Sequence, residues 1–187
     1  MSLSEDDKGT IRECTQHLLA SIGEDPERDG LEATHERRVP DMWEELSEGY
    51  DEDEKPTMRT FDVDHDEMVV KEGIQFFSLC EHHMLPFFGK VHIGYIPDGE
   101  VLGLSKLTRY TKWKSRVLTN QEELTREIAD GLQDEVSSQG VMVVIEAEHL
   151  CEQMRGVEGH GSVTKTSAVR GKYRKNSVKS EFLQLIR

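Results

Sequence analysis

The chain has 187 residues, 35% hydrophobic and 32% charged, and contains no run apolar enough to cross a bilayer. Its first ten residues are acidic and polar rather than leader-like, so a soluble, cytoplasmic protein is expected, with no membrane partner. With 23 basic against 37 acidic residues the net charge is −14, which disfavours a non-specific binder of nucleic-acid backbones.

Ile11, Cys14, Leu18 and Ile22 recur at three- and four-residue steps, Ser4 or Asp6 can cap the start, and Gly23 can stop the end, so an amphipathic helix is predicted. A loop over 24–30 follows. Met42, Trp43 and Leu46 predict a second helix with Pro40 in its first turn, and 50–56 forms an acidic connector. The pattern then turns strand-like over 61–70, 73–79, 90–96 and 101–104, with a turn at Pro97-Asp98-Gly99, an order that suits an antiparallel meander. Leu124, Ile128, Leu132 and Val136 are spaced by four behind a capping-box candidate at 119–122, which predicts a helix over 120–136. Residues 141–148 are β-branched enough for a central strand, and 180–186 suit a short closing helix. The class is α+β, with an N-terminal helical region and acidic linker over 1–56 and a sheet-bearing domain over 57–187.

Charge is unevenly placed. Residues 1–67 hold 7 basic and 22 acidic side chains, while 105–116 hold five cations (Lys106, Arg109, Lys112, Lys114, Arg116) and no carboxylate. A solvated face explains such a run, and so does a site for a small anion within an acidic shell.

The cysteines, Cys14, Cys80 and Cys151, are odd in number and widely spaced, which points away from a disulfide framework and toward thiol or metal chemistry. Cys80-Glu81-His82-His83 sets one thiol and two imidazoles within four residues, and His149-Leu150-Cys151 adds a second pair. Sulfur and nitrogen donors together suit zinc. The chain lacks any C-x-x-C pair, so a closed four-ligand centre is disfavoured. Three ligands with an open position are expected instead, the catalytic type that lowers the pKa of a coordinated water to about 7. On spacing alone, Cys151 is equally a small residue buried beside an apolar strand, with the histidines incidental.

The block 78–97 (SLCEHHMLPFFGKVHIGYIP), then Gly103-Leu104-Ser105-Lys106-Leu107-Thr108-Arg109, Gln121-Glu122, His149-Leu150-Cys151, Met154-Arg155-Gly156-Val157 and Glu181-Phe182-Leu183 resemble the GTP cyclohydrolase I family in order and spacing. The resemblance implies a tunnelling fold: an antiparallel four-stranded sheet with helices on one face, assembling into a toroidal homo-oligomer, a decamer, with active sites at subunit borders. It implies Zn2+ held by Cys80, His83 and Cys151, leaving His82 and His149 as catalytic groups. The implied activity is zinc-dependent opening of the GTP imidazole ring at C8, release of formate, rearrangement of the ribose and closure to 7,8-dihydroneopterin triphosphate. Alternatives are a relative acting on another purine or pterin, and a non-catalytic zinc-stabilised assembly module.

Chemistry gives the remaining residues roles within that resemblance. Glu122, with Gln121 beside it, suits guanine, because one carboxylate accepts from both the ring N–H and the amino group; a capping role at the helix start explains Glu122 equally well. Lys106, Arg109 and Arg155 suit triphosphate oxygens, and Ser105 the ribose as it rearranges. Where the family has Thr-Pro ahead of a phosphate-holding arginine, this chain has Thr34-His35, and both Arg37 and Arg38 match that arginine. Lys165, His160 and Arg170 also depart from the family pattern.

Overall fold

A computed structural model describes residues 3–187, which divide between Glu54 and Lys55 into two compact units. In the first, α1 (Glu5–Ser21) begins with a reciprocal cap: the Asp7 N–H donates to Ser4 Oγ and the Ser4 N–H to Asp7 Oδ2, both at 3.2 Å. The helix ends at Ile22, and Gly23 follows at φ +92°, a left-handed conformation that costs glycine little. A π-helical turn, Thr34–Arg38, leads into α2 (Val39–Leu46), with Pro40 in the first turn where its missing N–H leaves no gap. Lys8 on α1 pairs with Glu44 on α2 at 2.8 Å.

The second unit is built on a sheet ordered β5–β2–β3–β6–β7, from β2 (Val69–Cys80), β3 (Pro86–Pro97), β5 (Leu118–Thr119), β6 (Ser138–His149) and β7 (Thr164–Val169). The four longer strands are antiparallel, as the expected four-stranded sheet requires. Two-residue β5 adds a fifth strand, parallel to β2 at Leu79 and Cys80, where no periodicity is long enough to betray it. The strand expected over 61–70 is two: β1 (Thr60–Asp62) pairs with β4 (Glu100–Leu102) in a separate ribbon, and β2 starts at Val69. The simple meander is therefore corrected. Leu104 opens α3 (Leu104–Lys114) rather than closing a strand. α4 (Gln121–Glu135), α5 (Leu150–Gln153) and α6 (Asn176–Leu185) complete the unit.

The inner strands are apolar on both sides. Val91, Ile93 and Tyr95 of β3 with Val141, Val143 and Ile145 of β6 face Leu107, Tyr110 and Trp113 of α3 and Leu124, Ile128 and Leu132 of α4. The alternate residues Ile96, Met142 and Val144 form a second core with Tyr173 and Phe182. Helices therefore cover both faces, α3 and α4 on one and α6 on the other, which corrects the expectation of helices on one face only. No helix of the described residues is long and apolar enough to cross a membrane.

Candidate metal centre and active site

β2 delivers Cys80 at its last residue, and the chain turns back into β3 through residues 81–85. Cys80 is tied on both sides of that turn: its N–H donates to Leu85 O at 2.9 Å, and its carbonyl accepts from Met84 N–H at 2.7 Å. Met84 takes φ +53°, the backbone cost of so tight a reversal for a residue with a Cβ. On the far side of β3, β6 ends at His149, opposite Phe87, and α5 follows at once, placing Cys151 in its first turn. Two segments about 70 residues apart thus meet across one strand.

Donor atoms of Cys80, His83 and Cys151 lie within 4.8 Å of one another. Both cysteines are free. Cys80 is buried and Cys151 half-buried, and burial together with the neighbouring Cys80 pushes the Cys151 thiol above its ordinary pKa. Two crowded, desolvated thiols and an imidazole are a donor set that a soft, divalent cation relieves, so the residues fit zinc. His82 is exposed, with Nδ1 3.6 Å from Cys80 Sγ and Nε2 3.9 Å from Glu81 Oε1.

His149 stands beside this cluster. Its ring stacks on Phe87, centroids 4.9 Å apart and planes 2° from parallel, and Nε2 lies 2.7 Å from Gln121 Oε1. Burial holds its pKa below the ordinary value, with Glu122 and Glu152 opposing. Gln121 and Glu122 open α4, whose N-cap is Asn120: Asn120 Oδ1 accepts from Glu123 N–H at 2.8 Å. The cap lies one residue later than the 119–122 pattern suggested. Asn120 also donates through Nδ2 to Glu81 Oε1 at 2.7 Å, and Glu81 N–H donates to Thr119 O at 3.0 Å, so the helix start is fastened to the cysteine-bearing turn. Gln121 is buried, whereas Glu122 is exposed and does not cap the helix.

The remaining expected residues lie on other elements. Ser105, Lys106 and Arg109 lie in the first half of α3, Ser105 and Arg109 exposed and Lys106 half-buried, interleaved with its buried Leu107, Tyr110 and Trp113. Arg155 is exposed just after α5. Among the described residues none of these three cations is in an ion pair, which leaves them available to an anion. Arg37 pairs with Asp41 at 3.5 Å, while Arg38 Nη1 donates to Gly30 O at 3.2 Å. The Asn120–Glu81 bond and the surroundings of Gln121 escape sequence reasoning, since their partners are 24 to 45 residues apart.

The GTP cyclohydrolase I family model matches residues 11–187. GTP cyclohydrolase 1 of Chlorobium phaeovibrioides is 49% identical, the alignment covering 95% of this chain and 81% of that protein. The enzyme of Hyperthermus butylicus is also 49% identical, over 96% of this chain and 91% of its own, and that of Aquifex aeolicus is 48% identical over 97% of each.

Proposed function

The chain belongs to the GTP cyclohydrolase I family and has its activity, and from that premise we propose which of its residues carry the reaction and which metal serves it. GTP is hydrolysed at C8, formate leaves, and the ribose rearranges and closes to 7,8-dihydroneopterin triphosphate. Cys80, His83 and Cys151 hold zinc, and the observation that carries this reading is the convergence of their donor atoms beside His149. A zinc ion there supplies the Lewis acidity that makes water nucleophilic at neutral pH.

The protein groups supply the rest. Ring opening needs a proton removed from the attacking water and one delivered to the departing nitrogen. His149, held between Phe87 and Gln121, and His82, open to solvent at the same turn, are the two imidazoles beside the cluster that are not among its donors, and imidazole is the side chain suited to both tasks. Exposed Glu122 accepts from the guanine ring N–H and amino group, which adenine cannot offer in that arrangement. Lys106, Arg109 and Arg155 bind triphosphate oxygens, and Ser105 acts on the ribose. A toroidal homo-oligomer of the tunnelling-fold type, a decamer, completes the reading; its support is that β7 has no partner strand on its outer side among the described residues.

The test is purified protein with GTP, formate and oxidised-pterin fluorescence being followed before and after a chelator. Product formation that stops with the chelator and returns with zinc is expected. Turnover that survives complete metal removal would defeat the metal assignment.

A further inference from the structure

Gln121 is 1% exposed, and its amide is surrounded by groups whose hydrogen-bonding roles are fixed. Nε2 lies 3.2 Å from Ile145 O, 3.0 Å from Thr164 O and 3.0 Å from Thr166 Oγ1. Backbone carbonyls only accept, so the side of the amide that faces them is the NH2 group. Oε1 is thereby turned the other way, where it meets His149 Nε2 at 2.7 Å. An amide oxygen cannot donate. His149 Nε2 therefore carries the proton, and in the neutral ring the lone pair is left on Nδ1.

Two threonines make this orientation hard to reverse. Thr125 Oγ1 donates to Gln121 O at 2.6 Å and lies 2.6 Å from Thr166 Oγ1. With the Thr125 proton committed to that carbonyl, Thr166 donates to Thr125, and the Thr166 oxygen accepts from Gln121 Nε2. Each hydroxyl donates once and accepts once, in a ring that returns to Gln121. Flipping the amide would set Oε1 against two carbonyls and break the sequence of donors, with both groups buried. Nor does the NH2 group have a proton to spare for another partner, since three oxygens already share two protons.

We propose that Gln121, oriented by Thr125 and Thr166, is a positioning residue that holds His149 in the Nε2–H tautomer with Nδ1 as its proton-accepting atom, rather than a contact to the substrate. This rests on His149 being a catalytic group, as assigned above. The reasoning gives Gln121 and its neighbour Glu122 separate tasks: one faces inward to the histidine, the other outward to solvent and ligand.

The experiment uses zinc-loaded enzyme labelled with 15N at histidine, the His149 signals being assigned by their loss in His149→Asn. Long-range 15N–1H correlation is expected to show a protonated Nε2 and an unprotonated Nδ1 for His149 without substrate. Gln121→Met keeps the length of the side chain and replaces the amide oxygen by a sulfur that accepts only weakly. It should mix the tautomers and lower kcat by roughly 10- to 100-fold, the usual cost of losing such an orienting partner, with the KM for GTP and the zinc content little changed. Thr166→Val, which keeps both strand carbonyls, should shift the same signals and kcat in the same direction by less, and it serves if Gln121→Met does not fold. A wild-type His149 protonated at Nδ1, or a Gln121→Met enzyme that keeps kcat and raises KM, overturns the proposal. If His149→Asn keeps full turnover, the catalytic reading of His149 fails by itself, because the tautomer is measured without turnover.

Discussion

At the scale of single residues, adjacent His82 and His83 differ in what their neighbours allow. His83 shares its surroundings with both thiols, whereas His82 lies 3.6 Å from the Cys80 thiol and turns its other nitrogen toward Glu81. Replacing Cys80, His83 or Cys151 by serine or alanine should therefore remove zinc and activity together, because two donors hold the ion poorly. His82→Asn should keep near-stoichiometric zinc while kcat falls by about 10²- to 10⁴-fold, the typical loss of a general acid or base. Metal analysis beside steady-state kinetics decides it, and a His82 variant purified without zinc would reverse the two roles. Glu122→Ala should leave zinc in place and raise the KM for GTP by roughly 10- to 150-fold, which corresponds to the ~1.5–3 kcal/mol of a hydrogen bond to a charged group. An unchanged KM would send Glu122 back to the surface. The two segments of the donor cluster were legible in the sequence because each is local, Cys80-Glu81-His82-His83 and His149-Leu150-Cys151, whereas spacing could not choose His83 over His82 and only the family resemblance did. The setting of Gln121 was not, since its side-chain partners come from β6 and β7 and nothing in residues 119–122 announces them.

At the scale of elements, β3 shows what an interior strand demands. A Cβ added at Gly94 would lie 2.5 Å from both Phe182 Cδ2 and Tyr173 OH, closer than any real packing contact. Gly94→Ala should destabilise the protein by about 1–3 kcal/mol, the cost of overpacking, as a fall in the denaturant midpoint without loss of zinc. Two residues earlier, His92 is buried with neither ring nitrogen hydrogen-bonded. Burial holds its pKa below 6.5, aided by Lys90 and Lys165 and opposed by Glu146 and Glu72. The unfolded chain then takes up a proton near pH 6.5 that the folded chain refuses until lower pH, so this group removes stability as pH falls through that window. His92→Leu should make the decline in melting temperature between pH 7 and pH 5 shallower; a parallel decline would show that His92 takes up its proton as readily in the folded chain as in the unfolded one. Elements with a long repeat were readable: α4 follows its four-residue spacing to within one residue. α3 was hidden, because its four buried residues alternate with Lys106, Arg109, Lys112 and Lys114, and a charge run conceals the stripe. α1 shows the opposite fault, for its apolar stripe is real yet Leu18 and Ile22 are 61% and 67% exposed, so periodicity found the helix without finding a core.

At the scale of the molecule, the sheet of the described residues ends in strands whose outer sides are largely without a partner strand. On β2 the outer side meets β5 only at Leu79 and Cys80, and β7 has no outer partner among the described residues. Such edges invite pairing with another chain, which is how a closed ring of identical sheets removes them. The direction of each β7 amide follows from one bond just past its end: Arg170 N–H donates to Val141 O at 2.7 Å. Amides alternate along an antiparallel strand, so those of Thr166 and Ala168 face β6, and those of Lys165, Ser167 and Val169 face outward. Ser167 is exposed, and proline there deletes an outward N–H without touching the β6–β7 ladder. Ser167→Pro should therefore leave the circular dichroism of the folded chain intact while shifting the sedimentation coefficient from that of a ring to that of smaller species. Formate release should fall in parallel if the active sites lie at subunit borders, as the family resemblance implies. A variant that sediments as the wild type would show that assembly does not use this edge, and one that loses the ring yet keeps full turnover would place the whole site within a single chain.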